Sequence, residues 1–153
     1  SIKMHPETNT VNNLVIPSFN KIAVALDFSE SDEKLLAYAI GQGKEKTQYL
    51  LLHIVESASA KLHGDESDDY ESRKDKERMD NYVLQLQNRG LHAEGFLGYR
   101  NRAKEIVRIA KEVSADMIVM GAHGHTGLKD FIYGETVNTV RHELKIPVLI
   151  VNL

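Results

Sequence analysis

Three glycines follow a short apolar stretch late in the chain, with two and then nine residues between them: Gly121, Gly124 and Gly134. An apolar strand, a glycine-rich loop and the start of a helix form the arrangement by which backbone N–H groups are directed at an anion. Glycine also permits positive φ and lets a ligand approach the backbone without a Cβ in the way. We predict that a helix begins near Gly134 and that this segment forms a phosphate-binding loop.

The composition excludes several classes of protein. The chain has 153 residues, enough for one domain with a full core, and its formal net charge of −3 does not indicate binding to nucleic acid or an anionic membrane. It contains no cysteine, which excludes disulfides and thiol catalysis and is typical of a reducing compartment. No apolar run approaches the roughly 18 residues that a membrane span needs. We therefore expect a cytoplasmic protein that does not insert into a membrane.

The pattern of apolar runs predicts one α/β domain over residues 20–153, preceded by a lead-in or linker over residues 1–19 that is rich in Asn, Thr, Ser and Pro. Amphipathic helical segments separate the apolar runs. This alternation is typical of a doubly wound parallel sheet with helices on both faces. The five predicted strands are Lys21 to Asp27, Tyr49 to Val55, Leu91 to Leu97, Met117 to Met120 and Pro147 to Val151.

From Lys21 to Asn152 the sequence resembles the universal stress protein family. The family's nucleotide-binding members carry the pattern Gly-x2-Gly-x9-Gly-Ser/Thr after the fourth strand, and the three glycines match that spacing. Asp27 closes the first predicted strand in the family's Asp-x-Ser setting, here followed by Phe28 and Ser29. The final predicted strand opens with Pro147, as it does in the family.

The resemblance implies a Rossmann-like five-stranded parallel sheet in the order 3-2-1-4-5. In that order strands one and four are neighbours at the topological switch point, where open α/β sheets bind ligands. The resemblance further implies an adenine nucleotide site in which Asp27 holds the ribose hydroxyls. The adenine would be bordered by Ala25, Ile54 and Met120, and the phosphates would be held by Gly121, Gly124 and the helix start at Gly134, Glu135 and Thr136.

Glu135 departs from the family pattern, because it stands where Ser or Thr would contact the terminal phosphates. A carboxylate 4 Å from a phosphate oxygen is opposed by roughly 4 kcal/mol at an effective dielectric constant near 20. Three alternatives are open. Thr136 supplies the hydroxyl one position later, Mg²⁺ bridges Glu135 to a phosphate, or Glu135 is itself the anion at the helix N-terminus.

Two polar residues at strand ends have structural alternatives. Asp27 either contacts a ribose or uses its carboxylate to cap the turn into the first helix, near Ser29. His53 closes the second predicted strand, and we expect a hydrogen-bonded core histidine rather than a ligand. We find no metal motif in the sequence.

The resemblance implies a regulatory domain of the stress response that binds ATP, ADP or AMP, with Mg²⁺ as a further cofactor. It would act through nucleotide-dependent or dimer-dependent interaction with partners. No pair of carboxylates and no Ser-His-Asp set has a supporting spacing, so we predict no catalytic residues and at most slow ATP hydrolysis. One alternative is a nucleotide-free dimeric regulatory domain, the soluble part of a larger protein such as a membrane transporter or a partner of one. Another is a nucleotide-alpha hydrolase.

The last predicted strand, Pro147 to Val151, is apolar and would lie at an edge of the sheet. An edge strand without charged residues invites pairing with a second chain. Members of the resembled family dimerise through this strand. We therefore predict a homodimer that pairs along Pro147 to Val151.

Overall fold

The computed structural model describes residues 10–56, 70–122 and 127–153, and for residues 127–133 it describes the backbone alone. Strands and helices alternate along the chain, as predicted. The elements are β1 (Lys21–Ala25), α1 (Asp32–Gln42), β2 (Gln48–Val55), α2 (Tyr70–Asn88), β3 (His92–Tyr99), α3 (Arg102–Glu112), β4 (Met117–Gly121), α4 (Gly127–Glu143) and β5 (Val148–Val151).

The strands form one five-stranded sheet in the order β3-β2-β1-β4-β5, and each paired strand runs parallel to its neighbour. This order confirms the predicted 3-2-1-4-5 topology. The central strand β1 pairs Val24 with Leu51 of β2 and with Val119 of β4. The carboxyl ends of β1, β2 and β4 therefore meet at one edge of the sheet.

Apolar side chains cover both faces of the sheet. Ile22 and Val24 of β1 pack with residues of α1 and α2, such as Leu35 and Met79. Ala23, which points to the opposite face, belongs to a second cluster that α3 and α4 complete. Burial on both faces explains why β1 and β4 are continuous apolar runs rather than alternating ones. The prediction of helices on both faces is confirmed.

The first strand ends two residues earlier than predicted, at Ala25. Leu26 still donates its N–H to the carbonyl of Leu52 at 2.8 Å. The N–H of Asp27 instead donates to Asp32 Oδ1 at 3.2 Å, so the chain leaves the sheet at this residue. Asp27 is thus the first residue of the connection to α1.

The prediction that the last helix begins near Gly134 is wrong, because α4 begins at Gly127. Gly134 lies inside the helix, where it is exposed. A glycine in a helix interior costs only about 1 kcal/mol relative to alanine. Thr136, Val140 and Leu144 are buried on the same helical face, and their packing offsets this cost.

Replacing Gly134 with alanine is expected to raise the free energy of unfolding by about 1 kcal/mol. A Cβ at this position would meet no atom within 4 Å, so the gain in helix propensity has no steric cost. Urea denaturation measures the change. Gly90→Ala is the matched control, because Gly90 has equally open space but a φ of 81° and should lose stability instead. A loss of stability in Gly134→Ala would show that the helix begins after this residue.

Residues 10–16 precede the sheet and carry exposed apolar side chains, with Val15 and Ile16 exposed by 88% and 83%. Phe19 packs against the core, and its carbonyl accepts a hydrogen bond from Thr47 Oγ1 at 2.7 Å. The boundary of the domain at residue 20 remains a prediction. Within the described part of the chain, we find no helix that combines the length and the apolar character needed to cross a bilayer.

Candidate functional site

A cavity of about 240 Å³ lies at the carboxyl edge of β1, β2 and β4. Four of the predicted site residues line it, although they are far apart in the sequence: Ala25, Asp27, Ile54 and Met120. Each of them ends a strand, lies one residue before its end, or follows one within two residues. Parallel strands bring their carboxyl ends together at one edge of the sheet. This explains why residues predicted at strand ends line the same cavity.

Asp27 combines the two roles that the sequence left open. Its Oδ1 accepts a hydrogen bond from the N–H of Ser29 at 3.0 Å, which holds the turn between β1 and α1. The carboxylate has acceptor capacity on both oxygens, so this turn does not exhaust it. Asp27 also lines the cavity. The side chain can therefore hold the turn and contact a ligand at the same time.

Phe28 was not found by sequence analysis. It has a φ of 60°, a conformation that costs a bulky residue energy and that tends to occur at functional sites. Its ring stacks on His53, with 3.8 Å between the ring centroids. His53 in turn has Nδ1 at 2.9 Å from the carbonyl oxygen of Leu26 and Nε2 at 3.3 Å from Asp75 Oδ2. These contacts confirm that His53 is hydrogen-bonded; it also lines the cavity, and that it does not contact a ligand stays a prediction.

Asp32, at the start of α1, is fully buried beside Asp27. Its Oδ1 accepts the N–H of Asp27, and its Oδ2 has no hydrogen-bond partner among the described residues. Burial raises the pKa of Asp32 to about 6, and the nearby charge of Asp27 acts in the same direction. Burial and the adjacent Asp32 carboxyl also raise the pKa of Tyr82 to about 12. Burying the charged form of this carboxyl group therefore lowers the stability of the folded protein beside Asp27.

An ion pair that sequence analysis also missed lines the cavity. Arg102 Nη2 lies 2.6 Å from Glu56 Oε2. Glu56 directly follows β2, and Arg102 is the first residue of α3. Asn101 caps that helix, since its side chain accepts the N–H of Lys104 at 3.0 Å. The signal in the sequence was a charged residue at the carboxyl end of a strand, as with Asp27.

Gly121 ends β4 directly after Met120, but it packs against the end of the chain. A Cβ on Gly121 would collide with Cδ1 of Leu153, so a larger residue would require the Leu153 side chain to move. The next residue, Ala122, donates its N–H to the carbonyl of Val151 at 2.9 Å. Ala122 is therefore bonded to the last strand. Gly124 lies outside the described residues.

The remaining predicted residues lie in α4 and do not line the cavity. Gly134 and Glu135 are exposed inside this helix, and Thr136 is buried. Because the helix begins at Gly127, Glu135 is not the anion at its N-terminus, and that alternative is wrong. The sequence pattern predicted that a helix begins at these residues, whereas α4 begins at Gly127.

The cavity combines apolar walls with three charged side chains, Asp27, Glu56 and Arg102. The two ring nitrogens of His53 face the carbonyl oxygen of Leu26 and Asp75 Oδ2. In the described ranges, no group of three or more acidic or histidine residues could hold a metal ion. Apolar walls with a few convergent polar groups are typical of a small-molecule binding site.

These features define a doubly wound α/β protein with a cavity at the topological switch point of its sheet. The chain belongs to the universal stress protein family, whose family model matches residues 18–152. It is 30% identical to universal stress protein YxiE of Bacillus subtilis over 146 residues, which cover 87% of this chain and 99% of YxiE. It is 26% identical to universal stress protein MJ0577 of Methanocaldococcus jannaschii over 153 residues, or 87% and 94% of the two chains.

Solved structures show the same fold. A structure of MJ0577 superposes with a TM-score of 0.74 at 28% identity and covers 90% of this chain and 98% of the other. A universal stress protein from Archaeoglobus fulgidus, solved in complex with dAMP, gives a TM-score of 0.63 at 22% identity and covers 85% and 95%. The confirmed sheet order is therefore the order of the family.

Proposed function

We propose that this protein binds an adenine nucleotide at the switch-point cavity and acts as a regulatory domain in the cytoplasm. The observation that carries the proposal is the position of Asp27, whose carboxylate lines an apolar-walled cavity beside the carboxyl end of β4. Structures of the same fold in complex with dAMP and with cAMP support this class of ligand. ATP, ADP and AMP are the candidates.

In the proposed complex, the ribose hydroxyls donate hydrogen bonds to Asp27. The adenine packs against the apolar side chains of Ala25, Ile54 and Met120. The phosphates extend past β4, towards Gly121, Gly124 and the N-terminus of α4, where unpaired backbone N–H groups favour anions. Mg²⁺ would bridge phosphate oxygens there and reduce their charge.

Gly134, Glu135 and Thr136 could contact a phosphate directly only if α4 changed its conformation. Their backbone N–H groups lie inside the helix, where carbonyl groups of the preceding turn accept them. The first turns of α4 would have to unwind before these amides could bind a phosphate. The three residues belong to the proposed site only if these turns unwind.

We propose regulation rather than catalysis as the role of the bound nucleotide. We assign no catalytic role to the described lining residues and expect at most slow hydrolysis of ATP. A bound nucleotide would instead change the surface that the protein presents to partners. A membrane transporter, fused or separate, is one such partner.

Titration calorimetry with ATP and Mg²⁺ tests the proposal. The unaltered chain is expected to bind, and Asp27→Asn is expected to bind about 10-fold more weakly, because a hydrogen bond to a charged group contributes about 1.5–3 kcal/mol. Asparagine keeps an oxygen for the N–H of Ser29, so the turn is preserved. Asp80→Asn is the control, since Asp80 is 65% exposed on α2 and is not among the described residues that line the cavity. Failure of ATP, ADP and AMP to bind the unaltered chain would overturn the proposal.

A second candidate is a nucleotide-free regulatory domain that acts as a homodimer. Its supporting observation is the edge strand β5, in which Val148, Leu149 and Ile150 are only partly buried. We propose pairing of two chains along Pro147 to Val151. Analytical ultracentrifugation of the calorimetry samples separates the candidates. Dimers in a chain that binds no nucleotide favour the second, and nucleotide binding favours the first.

A further inference from the structure

A buried carboxyl group lies directly behind the wall of the cavity. Asp32 is fully buried at the start of α1, and its Oδ1 accepts the N–H of Asp27, a residue that lines the cavity. Its Oδ2 has no hydrogen-bond partner among the described residues. Burial without a partner destabilises a charged oxygen more than a neutral hydroxyl group. The fold therefore disfavours the ionised form of Asp32, next to the place where a ligand is proposed to bind.

Two titratable side chains act on Asp32 within the described part of the chain, and neither is a cation. Burial is the main cause that raises the pKa of Asp32 to about 6, and the carboxylate of Asp27 acts in the same direction. Tyr82 of α2 lies on the other side and acts in the opposite direction. Glu33, the next residue of α1, is exposed and acts on Tyr82. The ionised Asp32 thus has a negative neighbour and no positive one among these groups.

The basic side chains on the elements around this turn face other groups. These are His53 of β2 and Arg78 of α2, which both face Asp75, and Lys34 of α1, which donates to the carbonyl of Asn152 at 2.7 Å. None of the three is among the groups that act on the buried carboxyl group. A further negative charge that enters the cavity is therefore not offset by a cation at this position.

A bound nucleotide supplies such a charge, and here the inference rests on the proposed function. Phosphates beyond the neighbouring strand β4 lie roughly 10 Å from Asp32, about two strand spacings. A unit negative charge at that distance raises the pKa of a carboxyl group by about one unit at an effective dielectric constant near 20. The ribose hydroxyls at Asp27 carry no net charge, and Mg²⁺ neutralises only part of the charge of ATP. The ligand thus favours the protonated form of Asp32.

We propose that Asp32 couples nucleotide binding to the uptake of a proton from solvent, so that the protein binds the nucleotide more tightly when this carboxyl group is neutral. The proton is carried by Oδ2, because Oδ1 already accepts the N–H of Asp27. A protonated Oδ2 is a hydrogen-bond donor beside the Asp27 carboxylate, whereas an ionised Oδ2 repels it. Asp32 contacts no ligand in this proposal and acts through Asp27 and through its own charge.

The direction of the pH dependence follows from the two pKa values. Without ligand the pKa of Asp32 is about 6, and with ligand it rises to about 7 by the estimate above. The higher pKa belongs to the bound state, so the gain in affinity is fully present below about pH 6. It is lost as the pH rises to about 7 and stays lost above that. One unit of pKa shift corresponds to about a 10-fold change in affinity.

Titration calorimetry with ATP and Mg²⁺ at pH 5, 6, 7 and 8 tests the proposal on the native protein and on Asp32→Asn. Asparagine is neutral at every pH and still accepts the N–H of Asp27. The two proteins should bind ATP equally at pH 5, and the variant should bind about 10-fold more tightly at pH 8. Protonation of ATP itself is common to both proteins and cancels in the ratio. A ratio that is the same at pH 5 and pH 8 would overturn the proposal.

The proton can also be counted directly. Calorimetry at pH 6.5 in two buffers of different ionisation enthalpy should show that the native protein takes up about half a proton more than Asp32→Asn does. Glu33→Gln is the matched control, because it removes an exposed carboxylate from the same helical turn and should follow the native protein. If ATP binds without this difference, only the present inference fails. If ATP does not bind the native protein at any pH, the proposed function fails and the inference fails with it.

Discussion

Replacing Asp32 with asparagine is expected to raise the free energy of unfolding at pH 7 to 8 by up to about 3 kcal/mol, since each unit of pKa shift corresponds to about 1.4 kcal/mol. Asp32 is fully buried, and burial is the main reason why its pKa rises from 3.8 to about 6. Asparagine carries no charge and can still accept the N–H of Asp27 through its side-chain oxygen. The variant thus removes the cost of a buried charge and keeps the turn.

The expected gain depends on pH in a defined direction. Between about pH 4 and pH 6 the folded protein binds more protons at Asp32 than the unfolded chain does, because the folded pKa is the higher one. The native protein therefore loses stability at this residue as the pH rises through that window, and the loss is constant above it. The difference between Asp32→Asn and the native protein should grow from pH 4 to pH 6 and then level off.

Urea denaturation at a series of pH values measures this difference. Asp80→Asn is the matched control, because Asp80 is 65% exposed and pairs with Lys76 at 3.0 Å on the surface. Exposed pairs contribute only about 0–1 kcal/mol, so this control should stay close to the native protein across the pH range. A constant difference for Asp32→Asn between pH 4 and pH 7 would contradict the prediction.

Replacing Asp75 with alanine is expected to lower the free energy of unfolding by about 2 kcal/mol, the loss expected when polar partners are left buried. The Asp75 side chain is only 5% exposed and faces His53 Nε2 at 3.3 Å and Arg78 Nη1 at 3.4 Å. His53 supports the ring of Phe28 next to Asp27. Loss of Asp75 therefore removes one of the two protein groups that face the His53 ring nitrogens.

The measurement again has a control on the same helix. Asp80→Ala removes an exposed carboxylate from α2 and should cost less than about 1 kcal/mol. Asp75→Asn keeps a side-chain oxygen for His53 and should recover part of the lost stability. Equal losses for Asp75→Ala and Asp80→Ala in thermal or urea denaturation would show that the contact with His53 contributes little.

The fold could be predicted because its signals are local. Strands β1 and β4 are buried on both faces, so each is a continuous apolar run in the sequence. The resemblance to the family then supplied the strand order. Asp27 was found for the same reason, since a polar residue directly after such a run lies at the carboxyl edge of the sheet.

The missed residues depend on contacts between distant parts of the chain. An acidic residue in the first turn of a helix normally faces solvent and complements the helix dipole, so Asp32 gave no sign of its burial. Its environment requires α2 to pack Tyr82 near it. The pairing of Glu56 with Arg102 likewise needs two neighbouring strands to be in register. The predicted helix start was wrong because the glycine spacing indicates a helix N-terminus at Gly134, whereas α4 already begins at Gly127.

The residues at and after the end of β5 connect the edge of the sheet to the end of β4. Leu153 fills the space beside Gly121, Ala122 is bonded to Val151, and Lys34 Nζ holds the carbonyl of Asn152 at 2.7 Å. The edge strand β5 is therefore bonded directly to Gly121 and Ala122 at the end of β4. We therefore expect a partner that displaces β5 to displace the backbone next to Gly121 as well, because these hydrogen bonds would have to follow or break.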